Sequence, residues 1–364
     1  MLWVRCLKLL AAFCALCAGF FLVVVFLISE TWVFPSLRPG DSRTEKTSFF
    51  WNRMNSPANG TSDSLRMHTW QVGGDEIRVD GEVINSSVVL QLELCPEQPE
   101  GLVGPLHIDF SAAVTIDQVA ASNSMIKLGG RYGPSDCEAR QKIAIVIPFR
   151  NREKHLVYWL YYLHPILIRQ QGDYAIYVVH QAGNGTFNRA KLLNIGAVEA
   201  LKDQDYDCLV FSDVDIIPMD DRNLYHCGKQ PRHLACAMDK FGFRLPYHGY
   251  FGGVIGLTRQ QFYTINGFSN HYWGWGTEDD DMYKRITLKG MKVERPPAII
   301  ARTKMIHHHR DKGNGVNTKN YDLFARTSVD MMKDGLNSLQ YDLLSIKRFK
   351  LYTELHVDVG KPRR

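Results

Sequence analysis

Three short apolar runs constrain this chain more than any other feature. Residues 143–147, 174–179 and 208–211 are apolar on both sides of an extended backbone, the pattern of a strand covered on both faces. An amphipathic segment fills each gap. Leu156, Trp159, Leu160 and Leu163 recur at helical spacing after the first run, with Pro165 expected to limit that helix. Leu192, Leu193, Ile195 and Val198 mark a second helix over about 188–202. Strand alternating with helix predicts a parallel α/β sheet with crossover helices.

Such sheets collect ligands beyond the carboxyl ends of their strands. There, directly after the third run, stands Ser212-Asp213-Val214-Asp215. Alternation along an extended segment turns the two aspartates to one side. Two carboxylates there suit a hard divalent cation and the ribose or phosphate of a nucleotide. A bare Asp-X-Asp also occurs in surface turns, so its position carries the argument.

Tyr272-Trp-Gly-Trp-Gly-Thr-Glu-Asp-Asp-Asp281 is the second chemical signal. Indoles stack on the apolar faces of a pyranose, and carboxylates accept its hydroxyl hydrogens. A carboxylate held partly out of water can also act as a general base. The plain alternative is a solvated acidic loop anchored by its tryptophans. Met305-Ile-His-His-His309 adds imidazoles that suit manganese or zinc, and one of them with Asp215 makes a manganese pair. Spacing does not select among the three. The following Arg310-Asp-Lys-Gly-Asn-Gly-Val316 has the glycine and charge content of a flap able to close over a ligand.

The amino-terminal part differs. Residues 9–28 carry no charge and at helical rise span about 30 Å, enough to cross a bilayer. Arg5 and Lys8 precede the run and favour a cytoplasmic amino terminus, so a tail (1–8), a signal anchor (9–28), a polar, turn-rich stem (29–87) and a lumenal domain (88–364) are expected, as in single-pass type II proteins of the Golgi membrane. Cys6, Cys14 and Cys17 fall in or near the anchor. Cys95, Cys137, Cys208, Cys227 and Cys236 fall in the oxidising compartment, an odd set whose member in an apolar run, Cys236, is the expected buried thiol. Sequons at Asn59, Asn85 and Asn184 fit the lumenal side. The net charge of +5 is dispersed, which argues against a nucleic-acid partner.

Taken together, Pro148-Phe-Arg-Asn-Arg152, Phe187-Asn-Arg-Ala-Lys191, Phe211-Ser-Asp-Val-Asp215, Lys240-Phe-Gly242, Tyr250-Phe-Gly-Gly253, Asn266-Gly-Phe268, Trp273-Gly-Trp-Gly276 with Glu278-Asp-Asp-Asp281, and Met305-Ile-His-His308 resemble the β-1,4-galactosyltransferase family. The likeness runs from about Cys95 to Gly360. It implies a nucleotide-sugar transferase of the GT-A type, α/β with a mixed sheet flanked by helices. The implied reaction moves galactose from UDP-galactose to the 4-hydroxyl of a terminal N-acetylglucosamine with inversion, aided by Mn2+.

Carried over by residue, the resemblance puts Pro148, Phe149, Arg150 and Arg152 along the nucleotide, and Phe187 and Arg189 on uracil and ribose. Asp213 and Val214 join the donor site, and Trp275 lies in a small loop that swings over the donor. Asp215, Met305 and His308 become the Mn2+ ligands, although ligand softness alone would not choose the thioether. Glu278, Asp279 and Asp280 hold the acceptor, with Asp279 the base. Tyr250 restricts room beside the donor sugar's 2-substituent and favours plain galactose. The disulfides implied are Cys95–Cys137 and Cys208–Cys227.

Thr277 replaces the glycine usual in the family, and would be strained if that backbone needs positive φ. His307 and His309 are additions to the usual pattern. Some members bind α-lactalbumin, but Tyr321 and Phe324 replace the residues usual at that surface, which weakens the case for this partner. Two readings compete with galactosyl transfer: an N-acetylhexosamine donor on the same fold, and a membrane-tethered glycan binder without turnover. A binder has no need of Asp213, Asp215, Asp279 and His308 together.

Overall fold

The computed structural model describes residues 92–309 and 311–362, together with the backbone of two short antiparallel strands, Arg78–Val79 and Glu82–Val83. The expected anchor over 9–28, nearly all of the stem, Cys6, Cys14, Cys17, Asn59 and Asn85 lie outside the described residues. Among the described residues no helix is long and apolar enough to cross a membrane.

A short helix, α1 (Ile116–Ser122), opens with a capping box from Thr115 and Gln118. Then β1 (Lys142–Phe149), α2 (Glu153–Arg169), β2 (Asp173–Gln181), α3 (Arg189–Asp203) and β3 (Cys208–Ser212) follow in the expected order. β1 pairs in parallel with both β2 and β3. The doubly apolar character of the runs has a direct cause. Ile143, Ile145 and Ile147 pack under Leu156, Trp159 and Leu160 of α2. Ala144 and Val146 face the opposite way, under Leu192, Leu193 and Ile195 of α3. α3 lies so close to the sheet that a Cβ on Gly196 would come within 2.3 Å of Val146 Cγ1 and 2.6 Å of Val179 Cγ2.

Two expectations need correction. α2 does not end at Pro165 but continues to Arg169. The bond that proline cannot donate would have gone to the carbonyl of Tyr161, a residue 41% exposed, so the break falls on the solvent side of the helix. The sheet is also not parallel throughout; it is mixed, as the resemblance implied. After β3 the chain makes an excursion through β4 (Ile216–Pro218), β5 (Arg232–His233) and β6 (Ala237–Met238). It returns as β7 (Val254–Thr258), antiparallel to β3 with Val210 opposite Gly256. Helices α4 (Arg259–Thr264) and α5 (Glu278–Leu288), strand β8 (Arg302–Met305), the short helices α6 (Asn320–Ala325) and α7 (Thr327–Asp330), and the hairpin β9 (Asp342–Arg348) with β10 (Thr353–Asp358) complete the chain. The seven-stranded order is β9-β10-β2-β1-β3-β7-β5, and a second sheet runs β4-β8-β6.

The second sheet places the site. β8 lies antiparallel to β4 with Met305 opposite Ile216, and the Ile306 amide donates to the Asp215 carbonyl at 2.8 Å. A segment ninety residues downstream is thereby stitched onto the end of β3. Disulfides Cys95–Cys137 and Cys208–Cys227 are formed, and Cys236 is a buried free thiol, as the sequence reading had it.

Candidate active site

The cleft opens beyond the carboxyl ends of β1 and β3. Asp215 is buried there, and His308 Nε2 lies 3.0 Å from its Oδ2. All three consecutive histidines are exposed to solvent, and His308 is the one whose ring turns to Asp215. Arg152 braces His308 from behind: its guanidinium contacts His308 Nδ1 at 3.0 Å and pairs with Asp311 at 2.6 Å. Met305 is partly buried at the end of β8, packed on the core next to Asp215. Among the described residues no group of three or more His, Cys, Asp or Glu side chains is placed to hold a metal. The donor set therefore consists of one carboxylate and one imidazole with a thioether alongside, and it leaves room in a coordination shell for ligand oxygens.

The alternation expected of an extended segment does not apply, because β3 ends at Ser212 and the chain turns before β4, so Asp213 and Asp215 meet different partners. Arg189, at the start of α3, donates to Asp213 at 2.7 Å and to Asp279 at 2.7 Å, and lies 3.9 Å from Glu278. The motif at β3 and the acidic turn of α5 are joined through this one guanidinium. The sequence reading gave Arg189 to uracil and ribose and missed this bridge. No local spacing could have shown it, because the three partners lie 24 to 90 residues away. Burial is the main force that raises the Asp213, Asp279 and Glu278 carboxyls above their ordinary range, with Arg189 opposing it.

The far oxygen of Asp279 faces a wall with no side chain. A Cβ on Gly252 would meet Asp279 Oδ2 at 2.5 Å and the Tyr250 hydroxyl at 2.9 Å. Tyr250 stands edge-on to Phe241, Tyr247 and His233, so its ring is fixed by three neighbours. The Tyr247 hydroxyl donates to Asp280 at 2.7 Å. Glu278 is enclosed at the head of α5. The three carboxylates expected at the acceptor thus share one helical turn with different surroundings.

On the nucleotide side, Arg150 is buried with its guanidinium 4.9 Å over the Phe187 ring. One nitrogen donates to the Gly185 carbonyl at 2.6 Å, and Nη2 is buried without a partner. A buried cationic nitrogen left unpaired is costly, so the pocket is shaped for an anionic or carbonyl oxygen. Pro148 and Phe149 close β1, and Phe149 is buried against His180. Val214 is buried beside them. Asn184 is exposed in the loop before Phe187.

The small loop and the flap are interlocked. The Trp275 amide donates to Gly315, Asn317 donates back to the Trp275 carbonyl, and buried Asn320 donates to Gly276. Thr277 has φ +63°, the left-handed conformation that was the condition for strain, and its hydroxyl donates to the Asn320 carbonyl at 3.1 Å. Trp273 is buried, while Trp275 is 48% exposed.

An Asp-X-Asp at a strand end, with an imidazole on its second carboxylate and a raised carboxylate joined to its first through Arg189, is the site of a glycosyltransferase. Residues 95–228 match the family described as the N-terminal region of glycosyl transferase group 7, and 232–309 match the N-terminal domain of galactosyltransferase. Mouse β-1,4-galactosyltransferase 1 is 60% identical over 76% of this chain and 69% of its own length. The human protein of that name is 57% identical, over 76% and 69%. A crystal structure of a Drosophila β-1,4-galactosyltransferase 7 mutant with manganese, UDP-Gal and xylobiose aligns at 29% identity and a TM-score of 0.54, over 60% of this chain and 94% of that one. The chain belongs to the β-1,4-galactosyltransferase family.

Proposed function

We propose that this enzyme transfers galactose from UDP-galactose to the 4-hydroxyl of a terminal N-acetylglucosamine, with Asp279 as the base. The observation that carries this reading is the Asp213–Arg189–Asp279 bridge, which sets the base one guanidinium away from the donor motif. Asp279 keeps Oδ2 toward the open wall at Gly252. A raised carboxyl there accepts the proton of the attacking hydroxyl. Attack from the face opposite the departing UDP inverts the anomeric centre, so a single carboxylate suffices.

Asp215, His308 and Met305 are the proposed Mn2+ ligands; bound there, the ion supplies charge neutralisation to the leaving diphosphate. Arg150 and Arg152 add cationic charge on the nucleotide side, where Phe187, Pro148, Phe149 and Val214 shape the pocket. Glu278 and Asp280 orient the acceptor. The 306–324 flap, clasped to Trp275, keeps water from the donor. Tyr250, fixed by its three aromatic neighbours, crowds the position of a donor 2-acetamido group and favours galactose.

Release of UDP by the wild type and an Asp279→Asn variant, with N-acetylglucosamine and Mn2+, is the test. A loss of about 100-fold or more is expected for a missing base, and equal rates would end the assignment. Competition between UDP-galactose and its N-acetylated analogue tests Tyr250. The uncharged 9–28 run with Arg5 and Lys8 before it supports a type II Golgi membrane protein. Protease accessibility in sealed Golgi vesicles checks this, and a catalytic domain cleaved from outside would refute it. The exposed Tyr321 gives no specific support for α-lactalbumin.

A further inference from the structure

His155 occupies the first turn of α2, three residues after Arg152. Its ring centre stands 5.2 Å from that of His308, with the planes tilted by 43°. Its Nδ1 is enclosed by protein yet meets no hydrogen-bond partner. A buried polar atom left unpaired loses its hydration without compensation, so a native fold rarely leaves one without a purpose. The charged groups that face the ring are Asp215, His308, Arg152 and Asp311. These are two of the proposed cation ligands and the ion pair that braces one of them.

None of these four supplies the missing partner. His308 turns Nε2 to Asp215, and its Nδ1 lies within hydrogen-bond distance of Arg152 and the His309 carbonyl, one or the other according to tautomer. Arg152 and Asp311 hold each other. The imidazole also does not complete a three-ligand set with Asp215 and His308. It borders the cation position from outside the ring of direct ligands. Polar groups in that position fix ligand geometry and tune a metal.

We propose that His155 is a positioning residue for the cation, holding through Nδ1 a water of the ion's coordination shell. The inference rests on the reading of Asp215 and His308 as the Mn2+ ligands. The water would complete the hydrogen bonding of a nitrogen that the protein leaves unserved. It would also occupy a coordination position that the single carboxylate, imidazole and thioether do not fill. The site would then be shaped before the donor arrives.

The test uses the full-length chain with Mn2+ alone. Electron paramagnetic resonance of free Mn2+ gives the dissociation constant, and water-proton relaxation reports the waters on the bound ion. In the His155→Leu variant, Mn2+ is expected to bind about 10-fold or more weakly, as for other residues behind metal ligands, and the relaxation enhancement is expected to change. His155→Asn, whose amide reaches the Nδ1 position, is expected to retain most of the affinity. His155→Gln, which reaches only the Nε2 position, is not. If leucine lowers the melting temperature of the metal-free protein, the asparagine and glutamine pair carries the comparison. Unchanged affinity and relaxation in His155→Leu, or rescue by glutamine and not asparagine, would overturn the proposal. Asp215→Asn separates the two readings. If that variant also binds Mn2+ like wild type, the cation site itself is misassigned; if it alone loses the ion, only the role of His155 fails.

Discussion

Arg189 and Asp279 lie 2.7 Å apart, and the same guanidinium reaches Asp213 at 2.7 Å. The first turn of α5 is thereby tied to the end of β3, although 66 residues separate Asp213 from Asp279 in the chain. The arginine lies between carboxylates that would otherwise repel one another in a poorly hydrated cleft. It opposes the effect of burial without cancelling it, and the Asp279 and Glu278 carboxyls stay raised.

This sets the pH dependence. A base must be unprotonated, so activity should rise with pH, with the acid limb of kcat/KM centred above the ordinary carboxylate value of about 4. Asp213→Asn removes a negative neighbour that raises Asp279 and should move that limb to lower pH. Stability should run the opposite way. A folded-state pKa above the unfolded one means the native protein binds more protons in the window between them. The contribution from Asp279 and Glu278 is then present at low pH and is lost as pH rises through the folded values. Rate profiles and melting curves across that window check both signs. A limb centred near 4 would refute the raised base.

Gly252→Ala should impair catalysis while leaving the fold. Its methyl would overlap Asp279 Oδ2 and crowd the Tyr250 hydroxyl, and displacing a catalytic group by about 1 Å can cost about 100-fold. The expected result is a fall in kcat of that order with little change in melting temperature. Wild-type turnover would show that Asp279 has room to move.

Thr277 separates strain from bonding. Its left-handed backbone costs about 1–2 kcal/mol for a residue with a Cβ, and its hydroxyl bond to Asn320 offsets part of that. Thr277→Val keeps the strain and removes the bond, so it should be the less stable of two variants. Thr277→Gly removes both and should lie near wild type. Thermal unfolding compares them, and flap proteolysis at Lys312 reads whether the clasp has loosened. A valine variant more stable than the glycine one would contradict this account.

Gly196→Ala tests the packing of α3 on the sheet. The added methyl overlaps Val146 and Val179 in a layer with no free space, so a loss of about 1–3 kcal/mol is expected from denaturant unfolding. No effect would mean that the helix can lift from the sheet at little cost.

Local pattern was enough wherever one element carried the message. Buried strands read as apolar runs because helices cover both faces. The α2 stripe at Leu156, Trp159, Leu160 and Leu163 read as a helix because its buried face repeats every three or four residues. The acidic turn at Glu278 and the Asp-X-Asp at β3 were visible as clusters of one chemistry in a few residues. Pro165 misled, because tolerance of a proline depends on which carbonyl loses its donor and whether water reaches it. The antiparallel return of β7 was also hidden, since strand direction is set by the 213–253 excursion and not by the residues of the strand.

Read alone, the residues were enough for the elements, the family likeness and the chemical types of the site residues, because propensity, periodicity and motif spacing act over short stretches. Folding was needed to bring His308 onto Asp215, to bridge two acidic motifs through Arg189, and to hold Thr277 in a left-handed backbone. It also set His155 beside His308 and Asp215 with an unserved nitrogen. Those outcomes depend on which distant segments β4, β8 and α5 bring within 3 Å, and no local signal encodes a distance across the fold.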